Sequence, residues 1–294
     1  MGKSIFFKTL GLLYLCIVMC GAIFAGLLWK FFGYSLAVSL IAVFIVAIPL
    51  TFVIFYFLLN GEKNSKFGKL HTEFLQELVK NGYSDRFLAI TEEAVAANRN
   101  GEKVGKVYLR DFVLYACDYY NLTGNHNKAL QLLSNLNEFD YTGNSDTFID
   151  QGSSAIMYYS ALMDAYRGLN DKYSGSTLVG RAAKFLNRNY KNEILNMGVE
   201  GFYYTYSMLI EDYETAGAYV QKLNSHTSAL ADKYFVRYFY EADYYAHFGR
   251  KDEAIAALKK MEPLIAKGGD LKSAMEFCYN CYWDTLGLRE QNQE

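Results

Sequence analysis

Residues 120–133 read YNLTGNHNKALQLL, and this stretch decides the fold. Apolar residues lie before and after Gly124 at helical spacing, and the glycine interrupts them. Glycine adopts the left-handed backbone conformation that ends a helix and turns the chain tightly. Ala129 is small enough for the second helix to approach the first, and Tyr120 is large enough to fill the gap between hairpins. The stretch therefore predicts two helices joined by a tight turn.

The same arrangement returns along the rest of the chain. Successive turns are 42, 46, 41 and 38 residues apart, at Gly82, Gly124, Asn170, Glu211 and Gly249. Periods of this length are typical of stacked helical hairpins. After Asn60, proline occurs only at Pro263, and apolar residues recur at helical spacing. We predict an all-α domain over 61–294 with about five helix pairs, and a final helix from Leu271 to Leu286 that covers the open end of the stack.

The turn chemistry resembles a known family. It occurs twice with the same spacing, first at Tyr120, Gly124, Ala129 and Leu133, and again at Tyr245, Gly249, Ala254 and Leu258. These residues are similar to the tetratricopeptide-repeat consensus over roughly residues 105 to 265, although the family's repeat is shorter, about 34 residues. Phe87 stands in the first hairpin where the family has alanine. The resemblance implies an α-solenoid of TPR-like helix pairs with a concave groove that binds other proteins.

The first 59 residues have a different composition. They contain no Asp or Glu, and their only bases are Lys3, Lys8 and Lys30. Two runs without charge, 9–29 and 31–59, exceed the roughly 20 apolar residues that cross a bilayer as a helix. We predict that residues 1–60 form a membrane anchor of two transmembrane helices that contacts the lipid bilayer through residues 9–59.

The flanking bases predict the orientation of this anchor. Lys63, Lys66 and Lys69 follow the second run, and basic flanks are retained on the cytoplasmic side. We therefore expect an integral protein of the plasma membrane with both termini in the cytoplasm. A cleaved signal peptide is the alternative interpretation of the first run, and it leaves the C-terminal part on the same side.

Three acidic residues share one repeat position. Counting two residues before Tyr120, Tyr166 and Tyr245 gives Asp118, Asp164 and Asp243. In the tetratricopeptide family this position faces the concave groove, so the resemblance implies an acidic groove. Such a groove favours a basic or amine-bearing peptide. The binding candidates are therefore Asp118, Asp164, Asp243 and His247, and solvated acids on exposed helix faces are the alternative interpretation.

The sequence contains little that indicates catalysis. It has no HExxH, no glycine-rich phosphate loop and no GxSxG, so we predict no catalytic residue, metal site or cofactor. Asp243 and His247 share a helix face, which leaves a metal-assisted hydrolase as an alternative. The Cys278–Cys281 pair lacks a second pair and is interpreted as ordinary thiols. The loop from Asn137 to Ser154 is interpreted as a connection between repeats, since the order of a calcium loop is absent.

The charge balance restricts the partners. Beyond residue 59 there are 26 basic and 31 acidic side chains, a net charge of −5, which disfavours nucleic acid. The sequence therefore predicts a membrane-anchored helical-repeat adaptor or scaffold that is not an enzyme and binds a protein or peptide with basic groups. A structural subunit of a membrane complex, recognised through its transmembrane hairpin, is a further alternative.

Overall fold

A computed structural model describes residues 3–32, 40, 43, 45–54, 65–138, 153–187, 192–228, 231 and 234–289, and in the first helix only the side chains of 10–23, 25, 26 and 30. This part of the chain is helical and contains no strand, which confirms the all-α class. The chain divides into two compact units. One comprises Met1–Lys69 with Thr147–Asp150, and the other comprises Leu70–Asp146 with Gln151–Glu294.

The first unit contains helix α1, Lys3–Phe32, and a helical stretch over 45–54. Small residues lie where these segments meet. A methyl group at Gly21 would overlap the side chain of Val43, and both Ala25 and Ala47 are buried. Because these side chains are small, the backbones of the two segments can approach closely. Larger side chains would hold them apart.

The exposed surface of this unit is strongly apolar. Its exposed large side chains are Leu12, Leu15, Met19, Ile23, Ile45, Val46, Ile48, Leu50, Phe52 and Val53. Within the described residues, however, no helix combines the length and the apolar character needed to cross a membrane. This finding contradicts the predicted plasma-membrane localisation with cytoplasmic termini, and it leaves the two predicted transmembrane helices without support.

Twelve further α-helices follow in the described residues. They are α2 Lys66–Asn81, α3 Asp85–Arg99, α4 Lys106–Leu122, α5 His126–Leu133, α6 Ser153–Gly168, α7 Lys172–Leu186, α8 Glu193–Leu209, α9 Tyr213–Ser225, α10 Arg237–His247, α11 Lys251–Lys259, α12 Glu262–Ala266 and α13 Lys272–Thr285. A short 3₁₀ turn, Gly269–Leu271, precedes α13. The predicted loop at Asn137–Ser154 lies mostly outside the described residues.

All five predicted turns contain a residue in the left-handed backbone region. The φ angles are +68°, +75°, +54°, +63° and +70° at Gly82, Gly124, Asn170, Glu211 and Gly249. In four of these turns, the next N–H donates to the carbonyl five residues earlier, at 2.7–2.9 Å: Asn125 to Tyr120, Asp171 to Tyr166, Asp212 to Ser207 and Arg250 to Tyr245. This bond closes the end of each first helix and repeats the same hairpin geometry.

The hairpins pack on one another in chain order. Helices α4, α6, α8 and α10 are the first helices of their hairpins. Helix α4 contacts α6, α6 contacts α8, and α8 contacts α10. Each also contacts the second helix of its own hairpin, α5, α7, α9 or α11. Ala129, Ala216 and Ala254 are 0% exposed at equivalent positions of the second helices. Gly175 occupies this position in the third hairpin, where a methyl group would overlap Leu209. Small residues here therefore set the close approach between helices.

The final helix, α13, reaches further than predicted. Its Tyr282 ring stacks on Phe239 of α10 at a centroid distance of 4.0 Å. At its other end, the Ser273 hydroxyl donates to the Lys80 carbonyl at 3.2 Å, and the Phe277 ring lies 5.1 Å from Tyr83. The helix therefore bridges the first and last hairpins instead of only covering the open end. The sequence shows that α13 has apolar residues, but not which distant surface they meet.

Candidate binding site

The three predicted groove acids lie on three first helices: Asp118 on α4, Asp164 on α6 and Asp243 on α10. We call the surface of the first helices that carries these acids the inner face. Helix α13 contacts α4 on this side, and its Cys278 and Tyr282 lie within electrostatic range of Asp118. The inner face is therefore partly occupied by the chain's own C-terminal helix.

Asp243 is the neutralised member of the row. The residue is 9% exposed, and Arg167 Nη2 lies 2.8 Å from its Oδ2. The Tyr204 hydroxyl donates to the same Oδ2 at 2.6 Å. The charge of Arg167 and the hydroxyl of Tyr204 compensate the cost of burying this carboxylate. Asp243 is bound to Arg167, and no ion pair joins it to His247 in the described residues.

Asp164 is only partly compensated. The Thr205 hydroxyl donates to its Oδ1 at 3.3 Å. Burial raises the pKa of Asp164 to about 6, while Arg167 and the Thr205 hydrogen bond act in the opposite direction. The carboxyl group therefore titrates close to neutral pH, although Asp164 keeps part of its surface in contact with water.

Asp118 has no hydrogen-bond or ion-pair partner in the described part of the chain. Burial raises its pKa to about 7, and the charge of Asp164 adds to this shift. Its oxygens are not fully enclosed, so they face a space that water can reach. An unpaired carboxyl group in such surroundings costs stability when it ionises.

Tyr282 on α13 interacts electrostatically with the same acids. The residue is 4% exposed, and its hydroxyl makes no hydrogen bond to any residue the structure describes. Burial raises its pKa, and Cys278, Asp118 and Asp164 all contribute to the shift. The stack on Phe239 fixes the ring.

We call Asp118, Asp164, Tyr234, Cys278 and Tyr282 the aspartate cluster. Tyr234 is hydrogen-bonded to Tyr240, and both rings lie over Gly201, where a methyl group would come within 2.9 Å of the Tyr234 hydroxyl. Four helices and the segment before α10 supply or support these residues. The cluster contains two carboxyl groups, a thiol and phenolic hydroxyls. None of its five residues has a basic side chain.

His247 lies apart from this cluster. Its ring is exposed and packs on Tyr213 at a centroid distance of 4.3 Å. No hydrogen bond joins it to Asp243, and the described residues contain no group of three or more His, Cys, Asp or Glu that could hold a metal. The described residues therefore give no support to the alternative of a metal-assisted hydrolase that uses Asp243 and His247.

Three cysteines lie in the described helices of the second unit: Cys117, Cys278 and Cys281. Cys117 is buried, and the other two are partly buried. Burial raises the pKa of all three thiols, and nearby Asp118 raises those of Cys117 and Cys278 further. These thiols are therefore protonated and weakly nucleophilic at neutral pH.

Sequence reasoning missed several polar side chains that define the site. Arg167, Tyr204, Thr205 and Tyr282 decide which of the three acids keeps its charge, yet none belongs to a motif. A second network holds His226, whose Nδ1 and Nε2 each lie 2.9 Å from a carboxylate oxygen, of Glu193 and Glu200 respectively. It ties the chain after α9 to α8. The only signal in the sequence was the high tyrosine content, 26 residues.

A surface recess of about 420 Å³ lies elsewhere, between α12 and α13, and is lined by Glu262, Lys272 and Tyr279. It is shallow and open, and its charged side chains are largely exposed. The aspartate cluster combines buried titratable groups with unmet hydrogen-bonding capacity, so it is the better candidate.

Comparison with known proteins finds no matching family model, no matching curated protein and no matching solved structure. The resemblance to tetratricopeptide repeats therefore rests on the residues quoted above. Any function must be inferred from the inner face itself.

Proposed function

We propose that this chain is a helical-repeat adaptor that binds a basic segment of another protein at its inner face. The supporting observation is Asp118, a partly buried carboxyl group for which the described residues supply no hydrogen-bond or ion-pair partner. Titratable groups perturbed in this way concentrate at functional sites. A positive group from a partner would supply the missing counter-charge.

The charges around the three acids favour binding of a cation at the end of the inner face that carries Asp118. Arg167 lies against Asp243 and also lowers the pKa of Asp164. The electrostatic interactions of Asp118 with described residues involve tyrosines, thiols and another acid. A cation that entered here would gain attraction from both carboxylates, and the tyrosine rings would add cation–π contacts.

The arrangement of hairpins supports the solenoid part of the proposal. Five helical hairpins follow one another in the described residues, and four of them share the same turn hydrogen bond. Stacked repeats present their first helices side by side, which is the surface that repeat proteins use for binding. The three acids lie on such helices at one repeat position.

Affinity capture with a matched pair of variants tests the proposal. Asp118→Asn removes the unpaired charge and keeps the size of the side chain, while Asp252→Asn makes the same change at an exposed position of α11. We expect proteins that are retained by the wild type and by Asp252→Asn to be lost from Asp118→Asn. Synthetic basic segments of those proteins should then bind the purified wild type directly.

Mass spectrometry of the retained proteins and fluorescence anisotropy of labelled segments provide the readout. The adaptor proposal is rejected if Asp118→Asn retains the same proteins as the wild type with the same affinity for their segments.

A further inference from the structure

We infer that helix α13 is an autoinhibitory clasp, which closes over the inner face by contacting the first hairpin and opens there to admit a partner. The inference rests on the proposed function and names how binding at that site is regulated. The first hairpin consists of α2, α3 and the turn at Gly82, and the last hairpin consists of α10 and α11. We call the packing of Ser273 and Phe277 against the first hairpin and α4 the clasp contact.

The clasp contact joins parts of the repeat array that are not neighbours. In stacked helical hairpins each repeat contacts the one before it and the one after it, and these contacts carry the stability of the stack. Helix α13 follows the last hairpin, but it reaches α4 and the turn of the first hairpin. The clasp contact is therefore not needed to stack the hairpins, and it can open without separating neighbouring repeats.

Three aromatic rings form the centre of the clasp contact. The centroid of the Phe277 ring lies 5.1 Å from that of Tyr83 and 5.5 Å from that of Tyr119. The rings of Tyr83 and Tyr119 lie 6.1 Å from each other. Tyr83 belongs to the turn of the first hairpin and Tyr119 to α4, so these two tyrosines form an aromatic surface that Phe277 occupies.

The closest approach of α13 to the first hairpin is at Gly82. This residue is buried, and a Cβ atom there would lie 3.0 Å from the carbonyl oxygen of Ser273. The Ser273 hydroxyl also donates to the Lys80 carbonyl at 3.2 Å. Helix α13 therefore packs directly on the backbone of this turn, at a position where the absence of a side chain makes room for it.

The two ends of α13 are held unequally. Tyr282 and Trp283 are buried in an apolar cluster that includes Leu258 of the last hairpin. Ser273 and Phe277, at the other end, are only half-buried, and the Ser273 hydrogen bond is exposed to water. Contacts that bury little apolar surface and expose their hydrogen bonds open most readily. The clasp contact is therefore the end of α13 that we expect to open.

Helix α13 lies over the surface that carries the acids. Tyr119, which meets Phe277, directly follows Asp118 on α4. On α10, the ring that stacks on α13 is Phe239, one turn before Asp243 on the same helix face. A partner segment that lies along the first helices must displace the clasp contact. Closure therefore weakens the apparent affinity in proportion to the fraction of molecules that are open.

Hydrogen exchange of the full chain, followed by mass spectrometry, tests the opening. Gly82→Leu places a side chain against the backbone of Ser273, whereas Gly124→Leu makes the same change in a turn where an added Cβ meets nothing within 4 Å. Both glycines have a positive φ, so the backbone strain is matched. We expect exchange at residues 273–280 to be at least about threefold faster in Gly82→Leu than in Gly124→Leu. Exchange at residues 281–285 should be equal, because the last hairpin holds them.

Removal of one ring gives a second test that leaves the turn unchanged. Phe277→Ala removes the ring that packs on Tyr83 and Tyr119, so it should also speed exchange at residues 273–280. Phe277→Tyr keeps the ring and should match the wild type. Exchange at the wild-type rate in both Gly82→Leu and Phe277→Ala would overturn the inference.

Binding of fluorescein-labelled octalysine, measured by fluorescence anisotropy at low salt, tests the regulation. This probe supplies the basic groups that the proposed site recognises. We expect Gly82→Leu and Phe277→Ala to bind it at least about threefold more tightly than Gly124→Leu and Phe277→Tyr, because more molecules are open. A contact that serves stability alone would leave the affinity unchanged or lower it, and that result would overturn autoinhibition.

The outcomes also separate this inference from the adaptor proposal. Octalysine binding that needs Asp118 but is equal in Gly82→Leu and Gly124→Leu overturns the clasp and leaves the adaptor proposal standing. Faster exchange and tighter binding in Gly82→Leu and Phe277→Ala, with Asp118→Asn equal to the wild type, support the clasp and contradict binding of a basic segment at Asp118.

Discussion

Asp118 and Asp243 occupy the same repeat position, two residues before a tyrosine, but they differ in their surroundings. Asp243 is bound by Arg167 and Tyr204, whereas Asp118 has no partner among the described residues. The residue after the repeat tyrosine is Arg167 in α6 and Asn121 in α4, and Asn121 donates its amide to the Ala161 carbonyl at 3.0 Å. A shared position in a repeat therefore fixes the side of the helix, while neighbours from other hairpins decide the charge.

Removal of Arg167 should have the largest effect on stability. Arg167→Ala leaves Asp243 buried without its counter-charge, so we expect a loss of about 2–4 kcal/mol in the free energy of unfolding. Arg250→Ala is the matched control, since Arg250 forms an exposed pair with Glu253 and should cost under about 1 kcal/mol. Urea unfolding followed by circular dichroism measures both. Equal losses would show that Asp243 is no better compensated than an exposed acid.

The equivalence of the hairpins can be tested at Ala254. Ala254→Leu adds volume to a fully buried contact between the helices of the last hairpin and should cost about 1–3 kcal/mol. Ala256→Leu makes the same change at an exposed position of α11 and should be nearly neutral. Thermal unfolding compares the two. An unchanged melting temperature for Ala254→Leu would contradict the repeat register that makes Asp118 and Asp243 equivalent.

Asp118 should lower the free energy of unfolding as the pH rises, whereas an acid paired with a cation would raise it. Because its folded pKa is raised to about 7, the folded state binds more protons than the unfolded state, so stability falls as pH rises from about 4 to 7. Asp118→Asn removes this loss and should stabilise the protein by about 1–3 kcal/mol at pH 8.

The same variant should differ little from the wild type at pH 4.5, where the Asp118 carboxyl group is mostly protonated in the folded state. Urea unfolding at the two pH values gives the comparison, with Asp252→Asn as the control for a general charge effect. A destabilised Asp118→Asn at pH 8 would mean that Asp118 has a compensating partner.

The turns after the two acids should respond alike, with the smallest effect of the series. Gly124 and Gly249 have φ angles of +75° and +70°, and an added methyl group meets nothing within 4 Å at either position. Gly124→Ala and Gly249→Ala should therefore each cost about 1 kcal/mol through backbone strain alone. Calorimetric unfolding measures both, and a large difference between them would show that the two turns are not equivalent.

Local features of the chain were predictable from the sequence. The all-α class follows from the helical spacing of apolar residues, and the turn positions follow from residues that tolerate a left-handed backbone or interrupt the pattern. Glu211 was predicted as a turn although glutamate rarely adopts a φ of +63°. Its place in the period of the turns identified it.

The N-terminal unit shows where a local pattern was insufficient. Two runs without charge predicted two spanning helices, and the described residues contain no helix that is long and apolar enough. The small residues Gly21, Ala25 and Ala47 lie where the described helical segments approach each other. Run length and charge therefore did not determine the environment of the unit.

The sequence by itself determined the helices, their turns and the face of each helix that carries an aspartate, because these depend on residues within a few positions of one another. The tertiary structure alone decided that Asp243 meets Arg167, that Asp118 has no cationic partner among the described residues, and that Tyr282 arrives from a helix more than one hundred residues away. The physical reason is that the ionisation of a carboxyl group depends on burial and on charges within a few ångströms, and distant parts of the chain supply both.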